Sequence, residues 1–358
     1  MFQSNLNDSQ FIRTHQRLAW LDYAKGLGII LVVIGHANQA IGRTHGLVWN
    51  DAMRALDAAI YSFHMPLFFL LAGFAASLGR GQDLQRFARS TFTGVLAPYL
   101  IWSVTWITLK VSLPGAINHA VGWDAITRIL TEPVEHMWFL YHLLLVRVFW
   151  FAAGRHASVP LQNGFLAIAV IGSIVMRQAP ERYAIIAFFL ENLICYGAGM
   201  RFLPRLLGSA SVVDASPKLV APVAVAWIFA VTLQTTTGSS FGILPAALLG
   251  SALIVTVARS LPAPTSLTLR ILRALGEASL AIYLMHLVFM AGARALLAQT
   301  GGLNEWTLFL GGIVVGLALP VVTLQLLQAA ATASGTDLTS WLGLGTGPSG
   351  RGRTPQGL

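Results

Sequence analysis

Ten apolar stretches, most of them near twenty residues long, constrain this chain more than any other feature. They run over about 21–42, 57–78, 90–112, 136–153, 163–178, 183–203, 218–235, 239–258, 275–298 and 305–329. A hydrocarbon core of ~30 Å takes about 20 residues of helix to cross. Lipid offers no partners to backbone N–H and C=O groups, so helices that satisfy their own are the expected spanning elements. The fold expected is all-α: a polytopic membrane bundle of about ten transmembrane helices over 21–330, after an N-terminal arm over 1–20. The fifth and seventh stretches are short enough to be tilted, buried or re-entrant. From 331 to 358 the chain turns to Gly, Ser, Thr and Pro, a composition that cannot bury a core and reads as a disordered tail.

Composition and charge agree with that class and fix an orientation. Hydrophobic residues make up 55% of the chain and charged residues 10%, against roughly 25% charged in soluble domains. With the N-terminus in the cytosol, the cations within 13–25, 80–89, 201–218, 259–273 and 351–353 all fall on the inner side. Asp51, Asp57, Asp124, Glu132, Glu135, Glu181 and Glu305 offset the cations outside. The net charge of +9 is therefore the positive-inside signal, with both termini cytosolic, and calls for no nucleic-acid partner. A single cysteine, Cys195, excludes an internal disulfide and a cysteine-cluster metal site. No short apolar run with a small-residue cleavage site precedes Trp20, so the arm reads as retained.

Polar residues inside these stretches mark the candidate site. Lys25 and His36 lie eleven residues apart on one face of the first helix, roughly 16 Å along its axis. A cation and an imidazole on one intramembrane face normally point to a protein interior or a wet cavity. Snorkelling of Lys25 to the headgroups, with His36 at the opposite interface, meets the same spacing. His64 falls in the outer half of the second span, where Pro66 leaves the carbonyl of Ser62 without its helical donor and predicts a kink. His136 opens the fourth span, and His142 follows it. In the ninth, Gly276, Ser279, Tyr283 and His286 recur at helical spacing on one face. Four helices thus bring imidazole to the middle or outer half of the membrane. Glu191, near mid-membrane, is a functional candidate or a protonated acid in an interhelical hydrogen bond.

In order and spacing these residues resemble the acyltransferase 3 family of membrane acyltransferases, nearest its fucose 4-O-acetylase-like branch. Asp22, Lys25, Gly26 and His36 match the first-helix pattern. Phe63-His64-Met65-Pro66-Leu67-Phe68-Phe69 with Ala72-Gly73-Phe74 is similar to the second. Arg86 and Arg89 ahead of Pro98-Tyr99 resemble the basic loop and third helix. His136-Met137-Trp138-Phe139-Leu140 and Gly276…Ser279…Tyr283…His286 resemble the fourth-helix and late motifs. The resemblance covers about 20–290. It departs at Lys25, where arginine is common, at Ala72, where serine is usual, and at His142, where proline is common. Lysine is a point charge without arginine's planar fork.

The resemblance implies a bacterial inner-membrane enzyme that transfers an acyl group, usually acetyl, from cytosolic acyl-CoA to a hydroxyl of a cell-envelope carbohydrate or lipid-linked glycan. Acyl-CoA is the donor substrate, and no bound cofactor or metal is implied. Lys25, Arg86 and Arg89 are the expected contacts for the polyanionic donor. His36 is the expected base for the acceptor hydroxyl, or the residue acylated before transfer. Asp22, beside Lys25 and Arg17, is expected either to order the inner entrance through an ion pair or to form an ordinary interfacial pair; with it, His64, His136, Trp138, Glu191, Ser279, Tyr283 and His286 are pocket or acceptor-side candidates. Two other classes remain: a transporter or flippase for a lipid-linked glycan or small anion with the histidines as proton relay, and a non-catalytic component of a glycan assembly complex. A proton-coupled carrier favours more buried carboxylates and repeated broken helices than this chain displays.

Overall fold

The computed structural model describes residues 2–79, 83–112, 121–154, 156–208, 217–238, 240–335, 339 and 342–344. Its helices are α1 (Phe2–Gly42), α2 (Asp51–Tyr61), α3 (His64–Leu78), α4 (Leu84–Thr91), α5 (Ala97–Ser112), α6 (Ala125–Arg128), α7 (Trp138–Phe149), α8 (Val159–Gln178), α9 (Ala184–Arg201), α10 (Leu203–Gly208), α11 (Val220–Thr237), α12 (Ile243–Ser260), α13 (Leu267–Glu277), α14 (Ser279–Gln299) and α15 (Glu305–Ser334). No strand occurs among the described residues. Among the described residues, ten segments are long and apolar enough to cross a membrane. Asp51–Leu78 joins α2 to α3, and Leu84–Ser112 joins α4 to α5 through a π-helical turn at Phe92–Leu96.

Breaks in two of the spans set the site. The second is not one kinked helix: α2 ends at Tyr61, and α3 restarts at His64 after Phe63 leaves helical geometry at φ −146°. Pro66 then lies in the first turn of α3, where its missing N–H is no loss. The expected ninth stretch, 275–298, is likewise divided at Ala278, so Gly276 lies in the last turn of α13 while Ser279, Tyr283 and His286 belong to α14. The single face expected across those four residues is therefore corrected. Gly276 serves packing: a Cβ there would overlap the backbone carbonyl of Asp22, and one at Gly26 would overlap that of Leu272. Two glycines thus let α13 lie directly against α1.

The main core gathers Ile29, Val32 and Val33 of α1, Phe69 of α3, Leu140 and Val146 of α7 and Ile282 and Leu284 of α14. At the periphery, α11 buries only Ala230 and presents Val225, Ile228 and Phe229 outward, so the seventh span is lipid-facing rather than buried. Where the disordered tail was expected, residues 331–334 still belong to α15. Beyond it, Leu344 is buried and Trp102 donates to the carbonyl of Leu342 at 3.0 Å; residues 345–358 lie outside the described residues, as do Arg80 and residues 113–120 of the loops. The arm is helical from Phe2, continuous with α1.

Candidate functional site

Three imidazoles meet near the end of the bundle that holds Gly42, Asp51 and Glu305. The ring centroids of His36 and His286 are 5.1 Å apart, and those of His136 and His286 5.4 Å. His64 joins through Tyr61, whose ring lies 4.5 Å from His64 and whose hydroxyl is 3.4 Å from His36 Nδ1. The expected convergence of four helices holds for His36, His64, His136 and His286. It does not hold for His142, which accepts from Asn192 Nδ2 at 3.0 Å on the other side of α7.

Backbone carbonyls fix the tautomer of three of the four. His286 Nδ1 lies 2.9 Å from the carbonyl of Ile282 and 2.8 Å from that of Tyr283. A carbonyl only accepts, so Nδ1 carries the proton and the neutral ring keeps its lone pair on Nε2. By the same argument His136 donates from Nε2 to the carbonyl of Tyr283 at 3.0 Å, and His64 from Nδ1 to that of Ile60 at 2.9 Å. Tyr283 is a two-way tie, because its hydroxyl donates to the carbonyl of His136. The remaining nitrogens, His136 Nδ1 and His286 Nε2, are buried without a hydrogen-bond partner. Such an acceptor costs about 1–3 kcal/mol. His36 differs: its Nδ1 faces a hydroxyl, which both donates and accepts, so its tautomer is free to change.

His36 also lines a cavity of about 120 Å³ with Arg43 of α1, Trp106 of α5, Glu135, and Met290 and Arg294 of α14. Glu135 carries the one positive φ among described non-glycine residues, +47°, a conformation costing on the order of 1–3 kcal/mol. Its carboxylate pairs with Lys110, whose side chain is 2% exposed. Trp106 is buried, lies 5.5 Å from His136 and has no partner for its Nε1–H. Sequence reasoning missed Tyr61, Trp106, Lys110 and Glu135. The available signals were Tyr61 three residues before His64, and Glu135 immediately before His136.

Other candidates lie apart. Lys25 is half-exposed near the opposite end of the membrane-spanning part of α1 and pairs with Asp22 at 3.5 Å; Arg273 reaches Asp22 at 3.9 Å and Glu277 at 2.9 Å. Arg17's side chain is outside the description, so the partner observed for Asp22 besides Lys25 is Arg273. Arg86 and Arg89 are exposed on α4, and no hydrogen bond or ion pair joins them to Lys25 among the described residues. It is Arg147 that is tied to α4, over the Phe87 ring and within 3.2 Å of Thr91. Ser279 is half-buried, about 10 Å along α14 from His286. Trp138 packs on Phe188 at 4.8 Å and His142 at 5.9 Å, away from the His36 cavity.

Glu191 is held by both guanidinium nitrogens of Arg177, at 2.9 and 2.7 Å. The lone acid in an interhelical hydrogen bond is therefore corrected to a two-pronged pair with Arg177. It borders a separate, mainly apolar cavity of about 280 Å³ against α12. Among the described residues no three His, Cys, Asp or Glu side chains are grouped to hold a metal ion.

The family described as an acyltransferase domain (acyltransferase 3) matches residues 18–325. Nodulation protein NolL of Sinorhizobium fredii is 36% identical over 129 residues, 34% of this chain and 33% of that protein. Nodulation protein NolL of Mesorhizobium japonicum is 32% identical over 148 residues, 38% of this chain and 36% of its own length. The chain thus spans about a third of the length of these curated relatives. No solved structure matches.

Proposed function

Because the chain belongs to the acyltransferase 3 family, we propose that it moves an acyl group, acetyl foremost, from acyl-CoA to a hydroxyl of a cell-envelope or exported carbohydrate, with His36 as the base. One observation carries the assignment to His36: of the four clustered imidazoles, it alone both lines the cavity and escapes a carbonyl lock. A base must reach the hydroxyl it deprotonates, and the cavity gives His36 that access, while the carbonyl bonds of His64, His136 and His286 orient those rings around it. The acceptor oxygen attacks the thioester carbonyl as His36 takes the hydroxyl proton. The C–S bond breaks, and the thiolate of CoA then receives that proton.

Acyl-CoA enters from the Lys25 end of α1. Its phosphates meet Lys25, with Arg86 and Arg89 as outlying cations, and its thioester arm covers the ~16 Å to His36. This places both termini and the 80–89 loop in the cytosol of a bacterial inner-membrane protein, and the cavity mouth outside. The transporter reading loses support from Glu191, since the acid available near mid-membrane is engaged by Arg177.

Purified protein supplied with labelled acetyl-CoA should bind it with an affinity that falls for Lys25→Ala. Mass spectrometry of envelope glycans from cells with and without the gene should differ by the mass of the acyl group. Identical glycans together with no acetyl-CoA binding would sink the proposal. Single introduced cysteines test sidedness: an impermeant reagent labelling the 80–89 loop from outside would reverse the donor entrance.

A further inference from the structure

We propose that Glu135 holds the carbohydrate acceptor, its carboxylate accepting hydrogen bonds from acceptor hydroxyls beside His36. The inference rests on the acyl-transfer reading and adds to it the residue that recognises the second substrate. Glu135 and His36 line the same cavity. The residue after Glu135 is His136, and the 3₁₀ turn Glu135–Met137 that carries both is stitched to α14 through Tyr283. The carboxylate therefore has a fixed position relative to the imidazole cluster. Its left-handed backbone at φ +47° is a local strain of the kind that persists at ligand clamps.

Lys110 sets what the carboxylate can do. Its buried ammonium engages one carboxylate oxygen and holds the group in place, and a carboxylate oxygen accepts from hydroxyl donors. On the same cavity stands a donor, the unpartnered Nε1–H of buried Trp106, while Arg43, which donates to Gln39, and Arg294 add positive charge to the wall. A ligand that meets both sets must donate and accept at adjacent atoms. A sugar hydroxyl does both, whereas a simple anion is repelled by the carboxylate and an acyl chain offers neither. The Trp106 ring supplies an apolar wall for the C–H face of a sugar. At about 120 Å³ the cavity has room for several waters, space that the edge of a sugar ring fills.

The test separates donor from acceptor handling in full-length protein. Glu135→Gln keeps the shape and removes the charge, while Trp106→Phe keeps an aromatic wall and removes the N–H. Acetyl-CoA affinity is measured on purified protein, and acyl content on the envelope glycans of cells carrying each variant at matched protein level. For Glu135→Gln, acyl content falls roughly 10- to 100-fold, the effect of losing a charged hydrogen-bond acceptor, with acetyl-CoA affinity unchanged. Trp106→Phe falls less, by several-fold, again with donor affinity intact. Wild-type acylation in either variant overturns the assignment. Loss of acetyl-CoA affinity alongside acylation overturns it too, because the cavity would then belong to the donor or to the fold. If Glu135→Gln fails to accumulate, Trp106→Phe decides alone. Failure of the underlying reading shows differently, as wild-type acylation by His36→Ala.

Discussion

The two ends of the membrane-spanning part of α1 are marked by His36 and by Lys25, and they are built in opposite ways. At His36, imidazoles from α3, the turn before α7, and α14 close in, and backbone carbonyls orient three of the four rings. At Lys25, the side chain is 32% exposed and its ion pair is one turn away on its own helix. A reacting group gains from neighbours held still before the reaction begins. A site that only attracts phosphates needs charge and access, and rigidity adds little. The contrast assigns chemistry to one end and capture to the other.

The sharpest way to break this division is at His36. His36→Ala should lower transfer by on the order of 10²–10⁴, with acetyl-CoA affinity retained. Turnover assays beside a donor-binding isotherm check it, and near-wild-type transfer would shift the role to His64 or His286. Next comes Lys25→Ala, which should weaken acetyl-CoA binding about 10- to 150-fold, the effect of losing one charge-assisted contact of ~1.5–3 kcal/mol. Lys25→Arg should keep most of the affinity, because charge matters there more than shape. Calorimetry on well-expressed protein decides, and unchanged affinity for the alanine variant would reduce Lys25 to a topological anchor. Gly276→Ala tests the frame common to both ends: the added methyl overlaps the carbonyl of Asp22, and overpacking of this kind costs about 1–3 kcal/mol. A lowered melting temperature in detergent is expected, whereas an unchanged one would mean α13 shifts freely. The smallest effects belong to Arg86→Ala and Arg89→Ala. Each is solvent-exposed on α4, so acetyl-CoA affinity should fall only a few-fold, and less at high salt.

Much of the fold was legible because lipid leaves the chain few options. Each apolar run of sufficient length maps onto a spanning helix, and the ordered motifs pointed to His36, His64, His136 and His286 as members of a common polar site while leaving their distances open. Errors arose where a local pattern continued across a backbone break. Gly276 looks in register with Ser279 and Tyr283, yet α13 stops before them at Ala278. Glu191 reads as a lone acid because its partner, Arg177, is 14 residues away on another helix. Trp138 and His142 share a motif with His136, yet His136 sits in the turn before α7 while they lie on α7 and pack against Phe188 and Asn192.

The sequence by itself determined the all-α membrane class, the span count and which helices carry imidazole, because burial in lipid restricts backbone and composition residue by residue. Tertiary structure decided which rings touch, which tautomers are locked, that Glu135 and Trp106 share a cavity with His36, and that Lys110 pairs with Glu135. Those are contacts between residues tens to hundreds of positions apart. Helix rotation and depth fix them, and periodicity along one helix carries no information about its neighbour's register.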